Sequence, residues 1–243
     1  MRKLLQGVFE FRALRRSAYR ETFARLALGQ SPDALLIACS DSRVAPNVFA
    51  STQPGDIFVI RNVGNLVPAP DQPPGASEAA GLEFALRRLE VADIIVCGHS
   101  SCGAMQALLA SASDLPRVSA WLRPAAPVLA RFRAGARLPG EWSDADQLSQ
   151  LNVLAQLEQI RAYPEASERL SAGRLRLHGW WFDLSGTELR DYDPTLGAFV
   201  PLDEPRVQAI LARMDADSAP GASVPSCAAV GVRAEAAGLK HHQ

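Results

Sequence analysis

VCGHSSCGAM, residues 96–105, sets His99 three positions before Cys102 between two glycines, and ACSDSRV, residues 38–44, places Cys39 just ahead of Asp41 and Arg43. Two thiols and an imidazole are the donor set that zinc takes among the common metals. His99 and Cys102, three apart across a turn that enters a helix, can converge on one point. The helix N-terminus would favour the thiolate of Cys102, and Gly98 and Gly103 free the backbone to bend there. Three protein ligands leave one corner of a tetrahedral ion open, as in catalytic rather than structural zinc. Water, Cys97 or a carboxylate could fill that corner, and Cys97 reads as a small buried hydrophobe.

The carboxylate candidate is Asp41. If residues 39–43 run extended, Cys39, Asp41 and Arg43 point to the same side. Arg43 can then grip Asp41 with a two-pronged hydrogen bond, keeping it ionised with one oxygen free to accept a proton. A loop salt bridge of little consequence is the other reading that the spacing leaves open.

Elements must bring these residues together. Residues 2–29 carry apolar side chains at helical spacing among many arginines, which predicts one or two amphipathic helices forming an arm. DALLIACS, GDIFVIRN and ADIIVCG are short continuous apolar runs, the pattern of strands buried on both faces. SEAAGLEFALRRLE (77–90, with Ser77 as N-cap), CGAMQALLASA, VSAWLRPAAPVLARFRAG and DADQLSQLNVLAQLEQIRAY read as helices. RLRLHGWWFDL, a tight turn at SGT, and ELRDYDPTLGAFVPL read as a strand and its returning partner, with Trp180 and Trp181 on opposite faces and His178 hydrogen-bonded locally. The expected fold is therefore α/β, a mostly parallel central sheet flanked by helices, with an N-terminal helical arm and a C-terminal strand pair. Cys39 and His99 then stand at strand carboxyl ends, where such sheets gather functional groups. The expected divisions are an arm over 1–30, a zinc-binding α/β domain over 31–214, and a poorly ordered tail over 215–243.

The 243 residues have a formal net charge of -1, which gives no hint of nucleic acid or a membrane surface as partner. No apolar run approaches the ~18 residues of a membrane span. The Arg-rich start lacks a secretory h-region, and Glu10 and Glu21 disfavour a transit peptide, so a cytoplasmic location is expected. Four cysteines in such a chain argue against a disulfide framework and leave thiols available as ligands.

CSDSRV, GDIFVIRNVGNLV and VCGHSSCGAM, in this order and spacing, resemble the beta-class carbonic anhydrases, and the resemblance extends over roughly residues 3–202. It implies that Cys39, His99 and Cys102 hold one Zn2+ per subunit and that Asp41 and Arg43 form a catalytic dyad. The plant-type branch is the more similar. That similarity implies substrate contacts from Gln30, an apolar pocket at Phe58, Val63 and Phe84, and Gly103 beside the ligand Cys102. Phe84 departs from the branch, which commonly has tyrosine there.

The implied activity is reversible hydration of carbon dioxide to bicarbonate by a zinc-bound hydroxide, with the fourth zinc position open rather than taken by Asp41. The implied assembly is a homodimer or larger homo-oligomer, with the arm wrapping the neighbour. Two alternatives share the fold: a hydrolase of carbon disulfide or carbonyl sulfide, and an inactive zinc-binding scaffold. Thiol redox chemistry at Cys97 and Cys102 is disfavoured, because their spacing is not C-x-x-C.

Overall fold

The computed structural model describes residues 1–71, 76–111 and 114–218, with side chains to 215. The predicted tail from 219 onward, with Cys227, His241 and His242, lies outside the described residues.

Six strands form one sheet in the order β2-β1-β3-β4-β5-β6. β1 (Ala34–Cys39), β2 (Ile57–Asn62), β3 (Asp93–His99) and β4 (Arg176–Asp183) run parallel, whereas β5 (Glu188–Asp193) and β6 (Ala198–Pro201) add antiparallel pairs. All six residues of β1 are buried, which is why its sequence is a continuous apolar run rather than an alternating one. Alternation still divides its side chains. Leu35 and Ile37 join Ile94, Val96 and Trp181 on one face, while Leu36 and Ala38 join Ile95, Cys97 and Trp180 on the other. The two tryptophans thus pack on opposite faces, as their adjacent strand positions predict.

The arm comprises α1 (Arg2–Glu10), a π-helical turn (Phe11–Arg15) and α2 (Arg16–Leu26). None of its residues is buried. Leu4, Leu5, Val8, Phe9 and Leu14 face outward, and at the end of the arm Leu26 packs over Gly55.

On the larger core face, α4 (Ser77–Arg87), α8 (Asp144–Arg161) and α9 (Pro164–Ser171) contribute Leu82, Leu86, Val153, Leu157, Ile160 and Ala166. The short α3 (Pro46–Phe49) lies on the other face, Phe49 stacking on Phe182 with ring centroids 4.9 Å apart. A second cluster joins Cys39 and Cys102 to α5 (Gly103–Ala110), to α7 (Ala126–Arg133), which follows α6 (Pro116–Trp121), and to α8. The described residues end with α10 (Glu204–Ser218).

Two local expectations are corrected. Ser77 does not cap α4: Ala76 holds that position, and no side chain bonds to the helix end. The single returning strand is two strands, because Asp193 turns the chain. Its carboxylate accepts the N–H groups of Thr195 (2.8 Å) and Leu196 (3.3 Å), and Gly197 takes a positive φ of 62°. A polar side chain that satisfies its own turn outcompetes the extension suggested by the flanking β-formers.

Candidate metal centre

β1 and β3 are parallel neighbours, and they end at Cys39 and His99. The turn after β3 then sets Cys102 at the N-cap of α5. The ligand atoms of Cys39, His99 and Cys102 all lie within 4.8 Å of one another. All three residues are buried, His99 completely. The sulfurs stand 4.0 Å apart. Two Zn–S bonds of about 2.3 Å at a tetrahedral angle would require roughly 3.8 Å.

His99 is already aimed. Nδ1 lies 2.9 Å from the Ser100 carbonyl, which can only accept, so Nδ1 carries the proton. Nε2 is buried without a hydrogen-bond partner. A buried nitrogen left so is costly unless something coordinates it, and fixing the distal ring N–H is how proteins orient a metal-binding imidazole. The residues therefore fit zinc.

One of the two thiols is electrostatically prepared. A hydrogen bond from Cys102 lowers the pKa of Cys39 and outweighs its burial, with further help from His99 and the Gly64 N–H at 3.4 Å. Cys102 is pushed up by the same partnership and by burial, since two bare thiolates so close repel. A divalent cation removes that conflict. Cys97 stands apart: burial pushes its thiol up to about 12, and it packs with Ala34, Leu36 and Ala38 on the opposite face. It is the small core residue that its neighbours in sequence predict.

Asp41 and Arg43 pair as expected, though through a turn rather than an extended segment, for Val44 N–H bonds back to the Asp41 carbonyl at 3.0 Å. Arg43 Nε donates to Oδ1 at 2.9 Å and Nη2 to Oδ2 at 2.7 Å, and the Arg43 backbone N–H adds a bond to Oδ1 at 3.0 Å. These bonds hold the carboxyl well below the ordinary range. Oδ2 stands 4.0 Å from His99 Nε2, so the dyad borders the cluster.

Much of the scaffolding comes from residues that no sequence pattern announces. Arg61 donates to the carbonyls of Cys39, Asp41 and Val44, pinning the loop that carries the first ligand. The 99–102 turn is held from α8 and β4. Ser149 donates to the His99 carbonyl at 2.9 Å, Ser100 N–H to the Phe182 carbonyl at 2.9 Å, and Ser100 Oγ to Asp183 at 3.3 Å. Ser101 adopts a left-handed φ of 54°. Its N–H donates to Asp146 at 2.6 Å, and its carbonyl accepts from Arg43 at 3.1 Å.

Residues 34–189 match the family described as carbonic anhydrase. The chain belongs to the carbonic anhydrase family. A carbonic anhydrase of Pseudomonas aeruginosa is 41% identical over 213 residues, covering 86% of this chain and 96% of the relative. One of Synechocystis is also 41% identical, over 82% of this chain and 74% of the relative. The solved beta-carbonic anhydrase CcaA superposes with a TM-score of 0.75 at 39% identity, over 83% of this chain and 98% of that one. The class is therefore beta, and the fold and its cysteine–histidine–cysteine cluster accord with it.

In this carbonic anhydrase the expected pocket residues divide into two groups. Val63 precedes Gly64, which bonds to Cys39, and offers its carbonyl to Trp121 Nε1 at 2.7 Å; its side chain is exposed. Gly103 follows Cys102, and open space lies where a side chain would begin. Phe58 and Phe84 instead stack on each other, centroids 5.9 Å apart, with Phe58 against the β1–α4 core. Gln30 is exposed between α2 and β1.

Proposed function

We propose that this chain is a plant-type beta-carbonic anhydrase that interconverts carbon dioxide and bicarbonate through Zn2+ held by Cys39, His99 and Cys102, with Asp41 and Arg43 as the catalytic dyad. The observation that carries this reading is the buried, partnerless Nε2 of His99 facing two preorganised thiols, beside a carboxylate already gripped by arginine. The ion, when bound, supplies the Lewis acidity that makes water a nucleophile, tempered by the two thiolates that neutralise its charge.

The remaining work belongs to the protein. Arg43 keeps Asp41 ionised with Oδ2 at the edge of the cluster, where it accepts a hydrogen bond from water and so fixes the orientation of the water's lone pair. The same grip supports the open arrangement, because both Asp41 oxygens already accept hydrogen bonds from Arg43. Carbon dioxide is small and apolar, so its site needs dry walls rather than charged anchors. Val63 and Gly103 line that site from one subunit. Gln30, Phe58 and Phe84, which lie off the cluster of their own chain, serve it from the partner subunit, with the Gln30 amide donating to substrate oxygen. Phe84 supplies only a wall, lacking a hydroxyl.

This division calls for a homodimer or larger homo-oligomer. The exposed apolar row of the arm, Leu4, Leu5, Val8 and Leu14, suits a segment over residues 1–30 that wraps a neighbour around the 31–214 domain. The solved Sordaria macrospora beta-carbonic anhydrases, 29% identical with a TM-score of 0.69 over 82% of this chain and 98% of theirs, are tetrameric. Thiol ligands suit a reducing compartment such as the cytoplasm, and no helix among the described residues is long and apolar enough to cross a membrane.

Stopped-flow hydration of carbon dioxide by zinc-replete protein tests the reading, alongside Cys39→Ser and Asp41→Ala. The wild type should be active with one zinc per subunit, Cys39→Ser should lose metal and rate together, and Asp41→Ala should keep metal but lose rate. Equal rates in all three would remove the enzyme reading.

A further inference from the structure

Ser101 lies between two metal ligands, and the peptide groups on either side of it are both held. Its N–H donates to Asp146 Oδ1 at 2.6 Å, and its carbonyl accepts Arg43 Nη2 at 3.1 Å. The same Nη2 donates to Asp41 Oδ2 at 2.7 Å. Asp146 is itself fixed. It occupies the first turn of α8, its Oδ2 accepts from Ser143 Oγ at 2.7 Å, and its backbone N–H returns a bond to Ser143 Oγ at 3.3 Å. One uninterrupted series of hydrogen bonds thus runs from the start of α8 through the metal turn to the dyad.

We infer that Asp146 is a positioning residue for the reaction, holding the Ser101 N–H so that the carbonyl of the same peptide group, that of Ser100, stays on His99 Nδ1, the His99–Cys102 turn keeps its shape, and the Ser101 carbonyl braces Arg43 against Asp41. Two physical arguments support this. Ser101 sits at φ 54°, a conformation that a residue with a Cβ adopts only under outside constraint, and the carboxylate bond supplies that constraint. A charged acceptor on a peptide N–H makes a bond about twice as strong as a neutral one. Reversing the Ser100–Ser101 peptide, which carries the N–H that Asp146 holds, would swing the Ser100 carbonyl away from His99 Nδ1, 2.9 Å from it, and disturb the turn that presents the Ser101 carbonyl to Arg43. Asp146 touches neither ligand atoms nor substrate, so its influence passes entirely through Ser101. A helix-capping role alone would end at Ser143.

The inference rests on the zinc reading above, and the test separates the two. Cobalt(II) is loaded into wild type, Asp146→Ala, Asp146→Asn and Ser143→Ala. The thiolate-to-metal and d–d absorption bands are recorded, together with the rate of metal loss to a chelator. Ser143→Ala removes the helix cap but leaves Asp146 Oδ1 on Ser101, so it should lower the melting temperature while keeping wild-type bands and release. Asp146→Ala should shift the bands and release metal about tenfold faster or more, the usual scale for partners behind metal ligands. Asp146→Asn, which still offers an oxygen to the Ser101 N–H, should recover most of both.

Identical bands and release rates in Asp146→Ala and Ser143→Ala would overturn the inference. A wild type that takes up no cobalt would overturn the zinc reading and this inference with it. Should Asp146→Ala fail to fold, amide hydrogen exchange on the wild-type holoprotein decides: the Ser101 N–H should be as protected as the amides of β3, and exchange at the solvent rate would refute its engagement by Asp146.

Discussion

Arg43 holds Asp41 with two parallel side-chain hydrogen bonds, Nε to Oδ1 and Nη2 to Oδ2, and the same Nη2 reaches the Ser101 carbonyl. A planar fork can make all three contacts at once, and a single ammonium cannot. Arg43→Lys should therefore lower the rate of carbon dioxide hydration about 10- to 100-fold while leaving zinc content intact. Metal analysis and stopped-flow rates on one preparation check both halves, and parallel loss of metal would mean that Arg43 serves the ligands rather than the dyad.

Gly98 lies one residue before His99, where α8 crosses β3. A Cβ there would meet Val153 Cγ2 at 2.7 Å, Trp181 Cδ1 at 3.1 Å and Ser149 Oγ at 3.2 Å. Val153 and Trp181 are fully buried and Ser149 nearly so, leaving little room to yield. Gly98→Ala should destabilise the protein by about 1–3 kcal/mol, the scale of overpacking in a filled core. Denaturant midpoints measure this, and an unchanged midpoint would show that α8 can retreat without cost.

Asp93, at the start of β3, pairs with Arg176 at 2.8 and 2.6 Å and with His178 Nε2 at 2.8 Å, the local bond expected for this histidine. Burial by itself would raise the carboxyl, but the bonds from His178 and Arg176 prevail and its pKa lies below the ordinary value. A carboxyl depressed on folding adds stability above its unfolded pKa of about 3.9, and that gain fades as pH falls through the lower folded value. The stability gap between wild type and Asp93→Asn should thus be fully present above about pH 5 and shrink below about pH 4. Urea titrations across that range test it, with a pH-independent gap as the contrary result.

Removing residues 1–26 takes away the exposed apolar row of the arm together with Leu26, its contact with Gly55. Light scattering after size exclusion should show a smaller assembly than the full chain forms. The rate should fall with it, since Gln30, Phe58 and Phe84 are proposed to serve the partner's site. An unchanged mass would place the subunit contact elsewhere.

Cys102 was legible in the sequence because it opens the helix that follows the His99 turn, and Cys39 and His99 because each sits where an apolar strand gives way to polar residues. That boundary marks a strand end without any knowledge of pairing. The Asp41–Arg43 contact was legible from its short separation, although the backbone between them turns rather than extends. Arg61, Asp146, Ser149 and Asp183 were not legible. Arg61, Asp146 and Ser149 act on backbone groups 17 to 50 residues away, and a bond to a peptide N–H or carbonyl leaves no mark on the identity of the residue that receives it; Asp183 accepts from the Ser100 hydroxyl 83 residues away. The division of the returning strand at Asp193 escaped for a related reason: an aspartate closing its own turn looks like any polar residue on an exposed strand face.

Cys39 terminates β1 opposite Asn62 of β2, while the preceding residue, Ala38, stands opposite Cys97 of β3. Side chains alternate along a strand, so a slip of one position would carry the Cys39 sulfur to the far surface of the sheet and out of reach of His99. Misassembled molecules should consequently retain no ion. The fraction of zinc-bearing molecules in a fresh preparation then doubles as a gauge of how faithfully the strands found their partners during folding.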